Sequence, residues 1–239
     1  NQTLATPALD ALAEQGIRFE RAYTCQPVCG PARAALFTGM FPHSAGSWAN
    51  SMPLGANVRT IGQRLRDAGV ATGYVGKWHL DGSDYFGLGA CPDGWEAAYW
   101  YDMRCYLEEL TPEERRLSRL PETNRHGIDA TFTYGYRCSE RAIRFLEDHR
   151  DDDFLLALSY DEPHHPFLCP EPYASMYRDV PLPKSPAFFD DLADKPGHHR
   201  AWSNGFYLRS HAEKQAFPLQ APDFLGCNSF VDSEIGRVI

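Results

Sequence analysis

Apolar and polar positions alternate along the chain with two periods, one typical of helices and one typical of strands. The first helix is predicted after Thr6 and Pro7, a capping residue followed by a proline that suits the first helical position, and Gly16 is expected to end it. Residues 17–23 then alternate apolar with charged side chains, which predicts a strand. The chain is therefore expected to open with a helix followed by a strand.

The same alternation continues through the rest of the sequence. Further helices are predicted at residues 31–38, 60–68, 133–150 and 223–239, and further strands at residues 70–78 and 154–160. The last of these strands is a continuous apolar run, so we expect it to be buried. Alternating helices and strands predict an α/β fold, in which ligands bind beyond the carboxyl ends of parallel strands.

Two stretches break this pattern. Residues 80–125 are rich in Gly, Trp and Tyr, with a short helix predicted at 111–120, and residues 167–222 contain recurrent prolines. We interpret both as irregular insertions in a single domain that spans residues 1–239.

The amino-acid composition limits the classes of protein to which the chain could belong. A chain of 239 residues with 43% hydrophobic content suits one sizeable core, and a formal charge of −9 argues against a broad nucleic-acid surface. No apolar run approaches the roughly 18 residues that span a bilayer, so a soluble protein is expected. The chain starts at Asn1 without a methionine and stops inside a predicted helix, so we expect it to be truncated at both ends. Its compartment, cytoplasmic, periplasmic or secreted, stays open.

Three polar clusters follow predicted strands, at residues 29–33, at residues 77–79 and at His164. Because such strand ends meet at one edge of an α/β sheet, the clusters could share one pocket. Cys29 stands just before a predicted helix, whose free amides and dipole bind anions and favour a thiolate. From the residues alone, Cys29 could be a nucleophile, a metal ligand, a redox partner of Cys25 or a small buried side chain. The seven cysteines are too scattered for a disulfide scaffold.

Three ordered motifs resemble those of the sulfatase family of the alkaline phosphatase superfamily. Residues 29–33 read Cys-Gly-Pro-Ala-Arg and lead into Leu-Phe-Thr-Gly, residues 76–80 read Gly-Lys-Trp-His-Leu, and residues 163–167 read Pro-His-His-Pro-Phe. The lead-in before Cys29 is also similar to the family's. The resemblance covers nearly the whole chain, and it implies an alkaline phosphatase-like α/β sandwich with a central, mostly parallel sheet flanked by helices.

The resemblance also implies a function, which is the hydrolysis of a sulfate monoester of a sugar, of choline or of an aryl alcohol. It implies that a maturation enzyme converts Cys29 to formylglycine (3-oxoalanine), reading the Cys-x-Pro-x-Arg motif. Arg33 and Lys77 would neutralise the sulfate, His79 would orient or deprotonate the nucleophile, and His164 would bind the sulfate and protonate the leaving alcohol. Formylglycine at position 29 would contact a Ca²⁺ or Mg²⁺ ion, whose remaining ligands are expected outside residues 1–239.

Under the same resemblance, residues 80–125 and 167–222 would be insertions on the substrate side of the domain. Their aromatic side chains could stack on a sugar ring or surround a quaternary ammonium group, and they could equally be core. These side chains are Trp95, Tyr99, Trp100, Tyr101 and Trp202.

Three alternatives remain open at this point. Relatives in the same superfamily hydrolyse phosphonate or phosphate monoesters with the same modified cysteine. The chain could instead be a binding protein or an inactive fragment, or Cys25 and Cys29 could form a redox pair. Of the two adjacent histidines, we assign the site position to His164 rather than His165, because His164 matches the family motif.

Overall fold

A computed structural model of the chain describes residues 4–180, 183–203, 205–206, 209–217 and 221–239. Some residues of the proline-rich 167–222 segment, and the first three residues of the chain, lie outside the described residues. All elements given below belong to the described part.

A parallel sheet of three strands organises the described residues. The strands are β1 (Ala71–Gly76), β2 (Trp100–Tyr101) and β3 (Phe154–Ser159), in the spatial order β2-β1-β3. β1 pairs in parallel with both neighbours, and Gly76 at its end is the register partner of Ser159 at the end of β3. The carboxyl ends of β1 and β3 therefore lie side by side.

Eleven helices accompany this sheet within the described residues. In chain order they are α1 (Pro7–Gln15), α2 (Cys29–Thr38), α3 (Pro42–Ala45), α4 (Ile61–Asp67), α5 (Met103–Glu109), α6 (Pro112–Leu117), α7 (Tyr134–Asp148), α8 (Tyr173–Met176), α9 (Gly197–Trp202), α10 (His211–Ala216) and α11 (Ala221–Val238). Short 3₁₀ turns lie at Ala97–Tyr99, Pro121–His126, Ala130–Phe132 and Pro186–Phe189.

Helices cover both faces of the sheet. On one face, Tyr74 of β1 packs with Phe37 of α2 and with Trp95. On the other face, Val75 packs with side chains of α5 and α7. Gly73 lets α7 come close, since a Cβ atom there would lie 2.7 Å from the ring of Phe145. This places α2 and α7 on opposite sides of β1, which is the layered arrangement of an α/β protein.

α11 holds α1 in place. The carboxylate of Asp232, which is 1% exposed, accepts hydrogen bonds from the backbone N–H groups of Ala8 (3.0 Å) and Leu9 (2.9 Å). Thr6 occupies the capping position of α1, as predicted, but its side chain makes no capping hydrogen bond. The first amides of α1 are therefore satisfied by a residue more than 200 positions away along the chain.

Most predicted elements are confirmed, each to within a few residues. One prediction is wrong: residues 17–23 form no strand, and Ile17, Phe19 and Tyr23 are exposed. A strand is stable only when paired, and no described segment pairs with this one. β3 exists as predicted but is only partly buried, because it lies at the edge of the described sheet.

The 80–125 stretch contributes to the core as well as to the surface. It contains β2, α5 and α6, and the buried side chains of Trp95 and Tyr101. Tyr99 and Trp100 are half-buried against their neighbours, whereas Trp202 is 77% exposed. The core interpretation therefore holds for the first four aromatic side chains. The placement of residues 80–125 and 167–222 on a substrate side stays a prediction.

Within the described residues, no helix is both long enough and apolar enough to cross a membrane.

Candidate active site

The cysteine of the first motif is the first residue of α2. The preceding Val28 has extended backbone geometry, and its side chain forms no capping hydrogen bond. The next amide, Gly30 N–H, donates to Asn50 Oδ1 at 2.8 Å, and Gly39 ends the helix in a left-handed conformation. Cys29 is partly exposed at a helix end whose dipole favours anions.

The end of β1 turns the second motif toward this helix end. Gly76 has a φ of 114°, and a Cβ atom at this position would lie 2.0 Å from the carbonyl oxygen of Ser159. Only glycine can take this conformation so close to β3. Directly afterwards, the Lys77 N–H donates to the same carbonyl oxygen at 2.8 Å, so β1 and β3 stay joined up to the start of the motif.

The ammonium group of Lys77 is the centre of the cluster. Its Nζ lies 3.1 Å from Asp161 Oδ1, 4.0 Å from Cys29 Sγ and 4.1 Å from the centroid of the Tyr85 ring. The side chains of Lys77 and Asp161 are only 9% and 10% exposed. A largely desolvated positive charge therefore stands beside Cys29 and is paired with a carboxylate.

Arg33 ties α2 to the ends of the strands. Its Nε donates to the carbonyl oxygen of Trp78 at 2.7 Å. Its Nη2 donates to Ser159 Oγ at 2.8 Å, and also to the carbonyl oxygen of Lys77 and the hydroxyl of Tyr74. These bonds fix the start of α2 against the carboxyl ends of β1 and β3. The predicted contact of Arg33 with a sulfate group stays a prediction.

His79 is buried in an uncommon backbone conformation. It is 5% exposed and has a φ of 58°, in the left-handed region that few residues with a side chain adopt. Among the described residues its Nδ1 has no hydrogen-bond partner. Burial first, and then the charges of Lys77 and Arg33, lower the pKa of His79 below 6.5. A neutral imidazole with a free ring nitrogen is suited to accept a proton.

Tyr85 connects the histidines with the lysine. Its ring lies 4.7 Å from that of His164 and 5.6 Å from that of His79, and its hydroxyl donates to Asp161 Oδ1. Burial, and then the charge of Asp161, raise the pKa of the Tyr85 phenol well above its ordinary value. The tyrosine is therefore a neutral platform with contacts to three of the predicted site residues.

His164 is exposed at the edge of the cluster, with its Nδ1 3.0 Å from the carbonyl oxygen of His165. The ring of His165 packs against Phe167 instead, 5.5 Å away between centroids. His164, not its neighbour, thus shares contacts with the other predicted residues.

A small cavity of about 40 Å³ adjoins the cluster and is lined by Asp161, Glu162, His164 and Tyr134 among others. Glu162 is partly exposed as a residue, but its Oε2 atom is enclosed and has no partner among the described residues, while Oε1 accepts from Gly135 N–H at 2.7 Å. The hydroxyl of Tyr134 is likewise buried without a described partner. Burial, and then the charge of Asp161, raise the pKa of Glu162 to about 7.

The structure thus brings Cys29, Lys77, His79 and His164 to one edge of the sheet, with Arg33 behind them. Sequence reasoning missed Asp161 and Tyr85. Asp161 could have been found by the rule that located His164, since it directly follows the same strand. Tyr85 lies in a stretch without periodicity and carries no comparable signal.

Two further predictions bear on this site. The thiols of Cys25 and Cys29 are both free, and Cys25 is exposed, so the structure shows no redox pair. The described residues contain no group of three histidine, cysteine, aspartate or glutamate side chains that could hold a metal ion.

Comparisons with known proteins show what the sequence is similar to. The sequence matches the family model for sulfatases over residues 1–239. It is 46% identical, over 99% of its length, to the uncharacterized sulfatase YidJ of Escherichia coli. It is 30% identical, over 93% of its length, to an ulvan-active sulfatase of Formosa agariphila. The chain spans 48% and 43% of these two relatives, which is somewhat less than half of each.

Among solved structures, the fold is similar to that of a phosphonate monoester hydrolase of Agrobacterium radiobacter, with a TM-score of 0.72 at 23% identity. That match covers 99% of this chain and 54% of the hydrolase. The expected fold class, an alkaline phosphatase-like α/β sandwich with a parallel sheet flanked by helices, is confirmed.

Proposed function

The chain belongs to the sulfatase family, and from this we propose that the whole protein is a sulfuric ester hydrolase that cleaves a sulfate monoester of a sugar, of choline or of an aryl alcohol. One observation carries the proposal. The largely buried ammonium group of Lys77 stands 4.0 Å from Cys29 Sγ, in the first turn of α2. A positive side chain and a helix dipole that converge on one atom suit an attack on an anionic ester.

We propose that Cys29 works as formylglycine. Its place in the first turn of α2, partly exposed, leaves the side chain accessible, and Pro31 and Arg33 complete the motif that a maturation enzyme would read. When hydrated, the aldehyde supplies one hydroxyl to attack sulfur and a second hydroxyl whose deprotonation expels sulfate, which a thiol cannot do.

The other side chains divide the remaining work. Lys77 neutralises charge on the sulfate oxygens, and Arg33 holds the start of α2 where the nucleophile needs it. His79 accepts a proton from the nucleophile, in the neutral form that burial favours by lowering its pKa. His164, at the exposed edge, donates a proton to the leaving alcohol.

The expected Ca²⁺ or Mg²⁺ ion does not fit the described residues by themselves. Such an ion prefers six or more oxygen ligands, and no described group of three acidic, histidine or cysteine side chains could hold it. Its ligands would have to include groups outside the described residues, and none of the roles above is derived through the metal.

A side-by-side assay of the full-length protein tests the proposal. Turnover of an aryl sulfate and of an aryl phosphonate ester should be compared after co-expression with a formylglycine-generating enzyme. We expect a higher kcat/KM for the sulfate. A clear preference for the phosphonate would replace the proposal with its alternative, a phosphonate or phosphate monoester hydrolase.

Peptide mass spectrometry across residues 22–33 of the same preparation tests the modification separately. We expect loss of the Cys29 sulfur and gain of an aldehyde, with Cys25 unchanged. An unmodified Cys29 in an active preparation would contradict the formylglycine assignment. A full-length protein that lacks activity on both esters would support the non-catalytic alternative, a binding protein or an inactive fragment.

A further inference from the structure

Asp161 is the largely buried carboxylate that touches the proposed site, and the proposed roles do not use it. It follows β3 directly, its Oδ1 lies 3.1 Å from Lys77 Nζ, and its side chain is 10% exposed. It therefore offsets part of the positive charge that the site presents to an anionic ester.

We propose that Asp161 determines the charge selectivity of the site, by favouring esters with one negative charge over esters with two. A sulfate monoester carries one negative charge. A phosphate monoester carries two above the second pKa of the phosphate, near 6. This inference rests on the proposed function, because it concerns esters bound at the same lysine and at Cys29.

The physical basis is repulsion across a short, poorly solvated distance. Lys77 Nζ lies 3.1 Å from Asp161 Oδ1 and 4.0 Å from Cys29 Sγ, so an ester held beside Cys29 comes within several ångströms of the carboxylate. At an effective dielectric constant of about 20 to 40, a unit charge at about 6 Å changes an equilibrium by roughly 10- to 100-fold. A phosphate monoester has a second negative charge, and the carboxylate repels this charge in addition to the one that a sulfate monoester also carries.

Tyr85 keeps the carboxylate from moving away. Its hydroxyl donates to Asp161 Oδ1, and its ring lies under the ammonium group of Lys77. Because the pKa of this phenol is raised, Tyr85 stays a donor at neutral pH. A fixed charge discriminates between substrates without having to reorganise during binding.

The experiment uses the full-length, matured protein with Asp161→Asn. An asparagine has the same shape and keeps an oxygen that can accept from both Lys77 and Tyr85, so the main change is the loss of one charge. The measured quantity is the ratio of kcat/KM for an aryl sulfate to kcat/KM for the matching aryl phosphate, at a pH of about 8. We expect the ratio to fall about 10- to 100-fold. A ratio within about twofold of the wild-type value would overturn the proposal.

Two controls separate charge from position. Tyr85→Phe removes the hydroxyl that holds Asp161 but leaves the charge, so both rates should fall together and the ratio should change much less. Asp67→Asn removes a charge from an exposed ion pair with Arg59, 58% exposed, and should leave the ratio unchanged. If Asp161→Asn lowers both rates equally, as Tyr85→Phe should, Asp161 only positions Lys77 and the selectivity proposal fails.

Asp161→Ser, also neutral, replaces Asp161→Asn if that variant does not fold, and the same shift is expected. Failure of the proposed function would be recognised separately. If the wild-type protein prefers a phosphonate ester, which also carries a single negative charge, the ratio of phosphonate to phosphate hydrolysis tests Asp161 equally well. An unchanged ratio in that pair would overturn the proposal too.

Discussion

The starts of α1 and α2 present the same backbone physics and are used in opposite ways. Each exposes amide groups that have no partner inside its helix. At α1 the buried carboxylate of Asp232 accepts from the amides of Ala8 and Leu9. At α2 the partner is neutral, since the amide of Gly30 donates to Asn50 Oδ1, and the thiol of Cys29 in the same turn lies 4.0 Å from Lys77 Nζ.

The polar groups around the two helix starts also differ in whether they have hydrogen-bond partners. Near α1, the hydroxyl of Tyr177 shares hydrogen bonds with Ser229 and with the backbone of Ala5, so polar groups are paired. In the candidate site that α2 helps to form, His79 Nδ1 is enclosed without a described partner, and so is Glu162 Oε2 in the adjoining cavity. Buried polar atoms without partners are costly, which suggests that the second region is kept for binding rather than for stability.

The largest expected effect comes from Cys29→Ala in the full-length protein. Turnover of an aryl sulfate should fall by at least about 10³-fold, since the variant removes the nucleophile, while thermal unfolding should change little because no capping bond is lost. Cys25→Ala, which removes the exposed neighbouring thiol, should keep wild-type activity. Near-normal turnover in Cys29→Ala would contradict the nucleophile assignment and with it the contrast between the two helix starts.

Lys77→Ala should have the next largest effect, a loss of about 10²- to 10³-fold in kcat/KM, because it removes the positive side chain that faces the nucleophile. It should also destabilise the protein, since Asp161 would remain largely buried without its partner. Lys195→Ala, a truncation at a 40% exposed lysine, provides the matched control and should change neither quantity. An unaffected rate in Lys77→Ala would show that the start of α2 is not part of the reaction site.

Local signals made most of the fold predictable. Thr60 and Gln63 form a capping box at the start of α4, and Gly39 takes the left-handed conformation that ends α2, so both boundaries followed from residue types alone. The strand predicted at residues 17–23 failed, because alternation predicts a surface suited to pairing but cannot supply the partner. Likewise, the continuous apolar run of β3 does not reveal that the strand lies at a sheet edge.

The site was predictable only where motifs carried it. Cys29, Lys77, His79 and His164 follow from the family resemblance, and the structure brings them together. The pairing of Asp161 with Tyr85 joins residues 76 positions apart and depends on tertiary packing. The bonds of Arg33 to backbone carbonyl oxygens could not be anticipated either, since its sequence position suggested only that it reaches toward an anion.

A smaller effect, on the free energy of unfolding, is expected from Glu162 in the cavity beside the candidate site. The pKa of Glu162 is raised from 4.5 to about 7, so the folded state prefers the protonated acid. Stability from this group is fully present below about pH 4.5 and is lost as the pH rises through about 7. The loss amounts to about 3 kcal/mol. Glu162→Gln keeps the oxygen that accepts from Gly135 but does not ionise, so it should escape this loss.

The measurement is urea unfolding of the wild-type and variant proteins between about pH 5 and pH 8. The free energy of unfolding of Glu162→Gln should rise relative to wild type as the pH increases across this range. Glu147→Gln, at an exposed position of α7, should show no such relative change. If the free energies of unfolding of Glu162→Gln and wild type changed in parallel with pH, ionisation of the enclosed carboxylate would cost no stability. The contrast between paired and unpaired polar atoms would then lose its main support.

The smallest expected effect concerns the start of α1. Sequence and structure disagree on which residue accepts the hydrogen bonds of its first amides. The sequence points to Thr6 as the capping side chain of α1, whereas the structure shows its capping bond absent and the carboxylate of Asp232 on the two amides. Asp232→Ala should therefore lower the free energy of unfolding by about 1–2 kcal/mol, and Thr6→Ala should lower it by much less. Both variants should keep kcat/KM within about twofold of wild type, because the main packing partner of α1 is α11 and not the strand ends. If Thr6→Ala lowered the free energy of unfolding more than Asp232→Ala, the start of α1 would be stabilised by its own capping residue. The long-range bonds to Asp232 of α11 would then contribute nothing measurable to the difference between the two helix starts.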